Sequence, residues 1–69
     1  MKTIIEFDNM PEFIAFVKEQ TQDMSLNQMS KELGINRSTL KRWFEGTVVP
    51  SSDSVKKVGE CLGITARIN

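Results

Sequence analysis

Apolar side chains recur along this chain at two spacings, and the change from one to the other separates kinds of element. "KTIIEF" (2–7) concentrates β-branched and aromatic residues, the composition of a strand. It reads either as a short strand or as an extended arm that packs Ile4, Ile5 or Phe7 onto helices. A lone strand needs a partner: the C-terminal "TARI" of the same chain, or the same segment of a second subunit. From Met10 onward the spacing becomes helical. Met10, Phe13, Ile14 and Val17 form one stripe, with Phe16 off it, at the edge of a core or in a subunit contact. Leu26, Met29 and Leu33 make a second stripe. Leu40, Trp43 and Phe44 make a third, and Val55, Val58, Cys61 and Leu62 a fourth.

Polar residues punctuate the stripes. Asn9 can cap the first helix, with Glu12 three positions on and Pro11 in the first turn, where a missing N–H costs nothing. "TQD" (21–23) ends it in turn-prone residues. Ser25 caps the second helix and Gln28 can reach back, while Gly34 suits the left-handed residue that terminates it. Ile35, apolar inside a turn, is expected to plug the core. Asn36 caps the third helix and Gly46 stops it. Pro50 forces Val49 out of helical conformation, "SSDS" (51–54) opens the fourth helix, and Gly63 ends it. Ser30 sits where a small side chain would let two helices cross closely, or else on the surface. Gly59 stands where a larger residue would hold a neighbour away. The six residues after Gly63 are too few for another helix.

The third helix has two distinct arcs. At about 100° per residue with Arg37 at zero, Lys41 falls near ~40°, Glu45 near ~80°, Ser38 near ~100° and Arg42 near ~140°. Thr39, Leu40, Trp43 and Phe44 occupy roughly 200–340°. One arc is for burial; the other faces solvent or a ligand. Arginine bonds guanine N7 and O6 together, serine serves several bases, and a helix N-terminus favours an anion. The exposed arc thus carries base- and phosphate-reading chemistry. A surface helix with Lys and Arg outside has the same composition, so the arc alone does not decide. Capped helix, glycine turn, apolar plug and second capped helix together form the grammar of a helix–turn–helix.

Composition narrows the alternatives. Sixty-nine residues at 39% hydrophobic fit one small globule, 1–69. No apolar run reaches membrane-span length and nothing resembles a signal peptide, so a cytoplasmic protein is expected. Its lone cysteine, Cys61, agrees with that compartment. With no histidine, zinc-ligand spacings and Cys–His or Ser–His nucleophiles are excluded. No enzyme, cofactor or metal site is expected. Nine basic and nine acidic residues give no net charge. The halves differ, however: residues 1–25 hold two Lys against five acids, net −3, and residues 26–69 hold seven Lys/Arg against four, net +3. The positive charge lies with the helix–turn–helix.

Residues 25–64, "SLNQMSKELGINRSTLKRWFEGTVVPSSDSVKKVGECLGI", resemble the phage repressor and Cro class (XRE-like) of helix–turn–helix DNA-binding proteins. The resemblance rests on Ser25, Met29–Ser30, Leu33–Gly34–Ile35, Asn36–Arg37–Ser38, Trp43, Gly46, Pro50–Ser51 and Leu62–Gly63–Ile64, in order and without a gap. It implies an all-α, compact four-helix repressor-like domain with the helix–turn–helix at about 25–45 and the last helix at about 52–62, preceded by the strand or arm at 1–8. It also implies a homodimer on double-stranded operator DNA. Carried across by position, Arg37, Ser38 and Arg42 match the base readers, Thr39 and Lys41 assist, and Asn36 and Ser25 match residues that touch phosphate. Leu26 departs from a frequent phosphate-gripping Gln, Phe44 from a frequent Glu, and "TVV" lacks the usual backbone-clamping cations. Residues 65–69 leave no room for the usual last helix.

The resulting expectation is a Cro-like transcriptional repressor that places two third helices in successive major grooves of a palindromic operator. Few cations are available, so each subunit should neutralise ~3–4 phosphates and the pair show a salt slope near −6 to −7. The rival expectation is a protein-binding module on the same scaffold, an antitoxin or anti-repressor, which would use the acidic first helix with Glu12, Glu19 and Asp23.

Overall fold

The computed structural model describes residues 3–69; Met1 and Lys2 of the anticipated N-terminal element lie outside them. Four helices stand between two short strands: β1 (Thr3–Phe7), α1 (Met10–Gln20), α2 (Leu26–Leu33), α3 (Arg37–Glu45), α4 (Ser52–Cys61) and β2 (Ile64–Ile68). The fold is mostly helical, with the strand of the first segment formed.

That strand finds its partner within the chain. β1 and β2 pair in parallel, from Thr3 opposite Ile64 to Phe7 opposite Ile68, and the Asn69 N–H extends the ladder to the Phe7 carbonyl at 3.0 Å. Side chains alternate as strand geometry requires. Ile5, Phe7, Ile64, Ala66 and Ile68 are buried or half-buried, whereas Ile4, Glu6, Thr65 and Arg67 are exposed. Phe7, not Ile4, anchors the segment: its ring meets Phe13 edge-on and Phe16 at a tilt, each with centroids 5.4 Å apart. Phe16 is therefore at the core edge.

Two strands alone are marginal in water, and this pair rests on α4. A methyl placed on the buried Gly59 would lie 3.2 Å from the Ile64 carbonyl oxygen and 3.5 Å from the Ala66 Cβ. The absent side chain lets the strand backbone lie against the helix, which accounts for a glycine at a helix-interior position that disfavours it.

The helix starts follow the capping chemistry. The Asn9 carboxamide oxygen accepts from the Glu12 N–H at 3.0 Å, Ser25 Oγ from Gln28 N–H at 3.1 Å, and Ser51 Oγ from Ser54 N–H at 3.3 Å. Glu12 reaches back one residue further than a capping box requires, accepting from the Asp8 N–H at 3.2 Å. Inside, Phe13, Val17, Leu40 and Val58 are fully buried, with Leu33, Met29, Trp43, Val55, Phe7 and Ile64 completing the core. Met10, Ile14, Leu26, Ile35, Phe44 and Leu62 pack half-buried at its margin.

Two side chains depart from expectation. Cys61 is exposed and does not anchor α4. At 100° per residue it lies roughly 60° beyond Val58 on the side away from Val55, so the stripe consists of Val55, Val58 and Leu62. Thr21, taken as a turn-former, is buried. Its hydroxyl donates to the Val17 carbonyl at 2.7 Å, a bond that satisfies the polar group inside the core.

Candidate nucleic-acid interface

The site is set by the turn between α2 and α3. Gly34 adopts φ 67° and ψ 27° and its N–H bonds to the Ser30 carbonyl at 2.9 Å, closing α2 with a left-handed residue that a Cβ would strain. Lys57 of α4 then donates from Nζ to the Gly34 carbonyl at 3.3 Å, tying the turn to the body. Ile35 packs half-buried beneath it. Asn36 opens α3, accepting from the Ser38 N–H at 2.8 Å. Gly46, at φ 81°, ends it.

Leu40 and Trp43 fix the rotation of α3. With Leu40 fully buried and Trp43 4% exposed, Arg37, Ser38, Lys41, Arg42 and Glu45 are all exposed, the arc counted from the sequence. Thr39 and Phe44 are half-buried between the two sides.

The first turns of α2 and α3 enclose an open cleft of about 460 Å³, lined by Ser25, Leu26, Asn27, Arg37, Ser38 and Lys41. Four of the seven sequence-predicted site residues line it: Ser25 on one wall, Arg37, Ser38 and Lys41 on the other. Arg42 lies one turn further along the exposed arc. Asn36 is exposed at the start of α3, its side-chain oxygen committed to the cap. Thr39 does not line the cleft.

Asn27 is the residue that sequence reasoning missed. Its Oδ1 accepts from Arg37 Nη1 at 2.6 Å, both side chains being exposed. The bond spans the cleft and holds the guanidinium at its mouth, leaving most of its donors free. The only signal in the sequence is position: Asn27 follows the cap Ser25 by two, as Ser38 follows the cap Asn36, so the two occupy equivalent places in first turns that face one another.

A polar cleft whose cationic wall is a helix N-terminus can accept an anion and hydrogen-bond flat polar edges. Among the described residues no group of three or more Cys, Asp or Glu could hold a metal, and no helix is long and apolar enough to cross a membrane.

No curated protein and no solved structure matches the chain closely enough to name a relative. A family model does: the one described as Helix-turn-helix matches residues 19–68, a span running from the end of α1 to the last residue of β2 and enclosing the whole cleft. With the capped α2, the glycine turn and the outward-facing basic arc of α3 in place, this chain belongs to the XRE-type helix–turn–helix family of DNA-binding regulators.

Proposed function

We propose that the protein is a sequence-specific transcriptional regulator of the Cro-like repressor kind, binding a palindromic operator as a dimer with one α3 in each of two successive major grooves. The observation that carries this reading is the exposed arc Arg37–Ser38–Lys41–Arg42 at a cleft shared with the first turn of α2. The N-terminal turn of a recognition helix is the part that contacts base edges. Arg37, Ser38 and Arg42 are assigned to bases, Lys41 and Thr39 assist, and Ser25 and Asn36 meet phosphates at the two helix starts.

Zero net charge does not oppose this reading. Half or more of protein–DNA hydrogen bonds go to phosphate and sugar, many from neutral side chains and backbone N–H groups. The test is selection of binding sites from random duplex DNA, followed by anisotropy on the selected site. A palindromic motif should emerge, and Arg37→Ala should cost ~1–3 kcal/mol and relax one base position. Selection without enrichment refutes the reading. If the chain retains a protein partner and no duplex, it is a protein-binding module instead.

A further inference from the structure

A second depression lies at the other end of α3. We propose that this groove is a self-docking surface through which two copies of the chain pair. It has a volume of about 360 Å³ and runs between α1, the C-terminal end of α3 and the loop that follows; Met10 and Ile14 form one wall, Trp43 and Phe44 the other, with Val48 and Val49 at the rim. Val48 is 38% and Val49 65% exposed. Both are β-branched apolar side chains projecting beside an apolar hollow, an arrangement that a lone soluble domain gains nothing by leaving in water.

Three features select a second copy as the occupant. Protrusion and hollow belong to one continuous surface, so a two-fold rotation sets the valines of each copy over the hollow of the other. This is the self-complementarity of an isologous interface. Charge repeats the pattern: Lys18 stands on the α1 wall and Glu45 on the α3 wall, both exposed. The same rotation brings Lys18 of each copy to Glu45 of the other. Finally, the groove shares no lining residue with the cleft at Arg37, so pairing takes Glu45 from the exposed arc and leaves Arg37, Ser38 and Lys41 uncovered. Glu45, which would oppose phosphates on that arc, becomes a pairing residue.

The inference deepens the proposed dimeric operator reading, but its test needs no DNA. Sedimentation equilibrium of the full chain should show a monomer–dimer equilibrium. Lys18→Glu and Glu45→Lys should each weaken self-association at least ~10-fold, because each places like charges opposite one another twice per dimer. An equimolar mixture of the two variants should pair as tightly as the parent, both contacts then being of opposite sign. As a control for net-charge attraction, Lys31→Glu mixed with Glu60→Lys, both off the groove, should show no preference over the unmixed proteins. Val48→Ser/Val49→Ser should weaken dimerisation at least ~10-fold with a thermal midpoint unchanged at concentrations where the parent is monomeric, while a duplex carrying one half-site binds as before.

A parent that stays monomeric to the limit of its solubility overturns the inference. So do Lys18→Glu and Glu45→Lys variants that self-associate like the parent, or that fail to pair when mixed. Dimerisation through the groove without any DNA binding would leave the inference standing and refute the operator reading alone.

Discussion

The hydrogen bond between Arg37 and Asn27 makes a quantitative claim about recognition. Arginine is rich in rotamers, and fixing such a side chain at an interface costs roughly 0.5–1.5 kcal/mol. Asn27 holds the guanidinium at 2.6 Å, so part of that ordering is supplied by the fold itself. Asn27→Ala should accordingly weaken operator binding by about 0.5–1 kcal/mol, or ~2–5-fold. Stability should barely change, because the lost bond is solvent-exposed and alanine is the better helix former by a few tenths of a kcal/mol. Arg37→Ala should cost more, ~1–3 kcal/mol, because a base contact goes with it. The two effects should not add. Once Arg37 is gone, Asn27 has nothing to position, and the double variant should bind as Arg37→Ala does. Anisotropy titrations of the four proteins on the selected duplex, at one fixed salt concentration, give the cycle. If Asn27→Ala costs as much in the Arg37→Ala background as in the parent, then Asn27 contacts DNA by itself and the positioning argument fails.

Three further outcomes follow from the packing and the charges. Gly59→Ala should be close to neutral, with about 1 kcal/mol of helix propensity offset by the shift needed at the Ile64 carbonyl. Gly59→Val, which drives a branched side chain at that carbonyl 3.2 Å from its Cβ, should lose about 2 kcal/mol and ~8–16 °C of Tm; equal melting of Gly59→Val and parent would mean that β2 does not rest on α4. Phe7→Ala should cost ~3–5 kcal/mol against a total of roughly 3–10 for a chain of this length, and circular dichroism should show its Tm lowered by at least ~12 °C; a small shift would put β1 outside the cooperative unit. The salt slope of operator binding should be no steeper than about −5, the limit if all three arc cations per protomer (Arg37, Lys41, Arg42) neutralised phosphates at ~0.9 each, and about −2 if Lys41 alone does so while the two arginines read bases. This is shallower than the sequence alone implied, and a slope of −8 or steeper would require cations beyond the α3 arc.

Features governed by chemistry within a few residues were legible in the sequence. Asn9, Ser25, Asn36 and Ser51 cap their helices because a side-chain oxygen two or three positions upstream of a free N–H is a local arrangement. The rotation of α3 was equally readable, since Leu40 and Trp43 leave one way to dock a helix with five polar residues opposite them. Contacts between segments were not. Nothing in the local pattern of Lys57 announces that it holds the Gly34 carbonyl 23 positions away, or that Asn27 meets Arg37. Both follow only from how the helices cross. The strand pairing fell in between: composition suggested β1 and offered "TARI" as its partner, but the parallel direction depends on where four helices return the chain. Cys61 was misplaced by weighing hydrophobicity above angle.

Neutrality gives these contacts their weight under the proposed reading. A strongly basic domain draws much of its affinity from phosphate neutralisation and tolerates imprecise base contacts. This chain offsets its nine cations with nine carboxylates, and of the cations in the helix–turn–helix half Lys57 is already engaged with the turn. Little non-specific attraction remains to hold a poorly oriented complex. Affinity then depends on a few contacts formed in the right geometry, and each determinant of that geometry becomes proportionally more important: the Leu40–Trp43 seat that fixes the arc, the Lys57 tether on the turn, and the Asn27 bond that presents Arg37. Variants that loosen any of these without touching DNA should therefore reduce the ratio of operator to random-duplex affinity, because there is little random-duplex affinity left to lose.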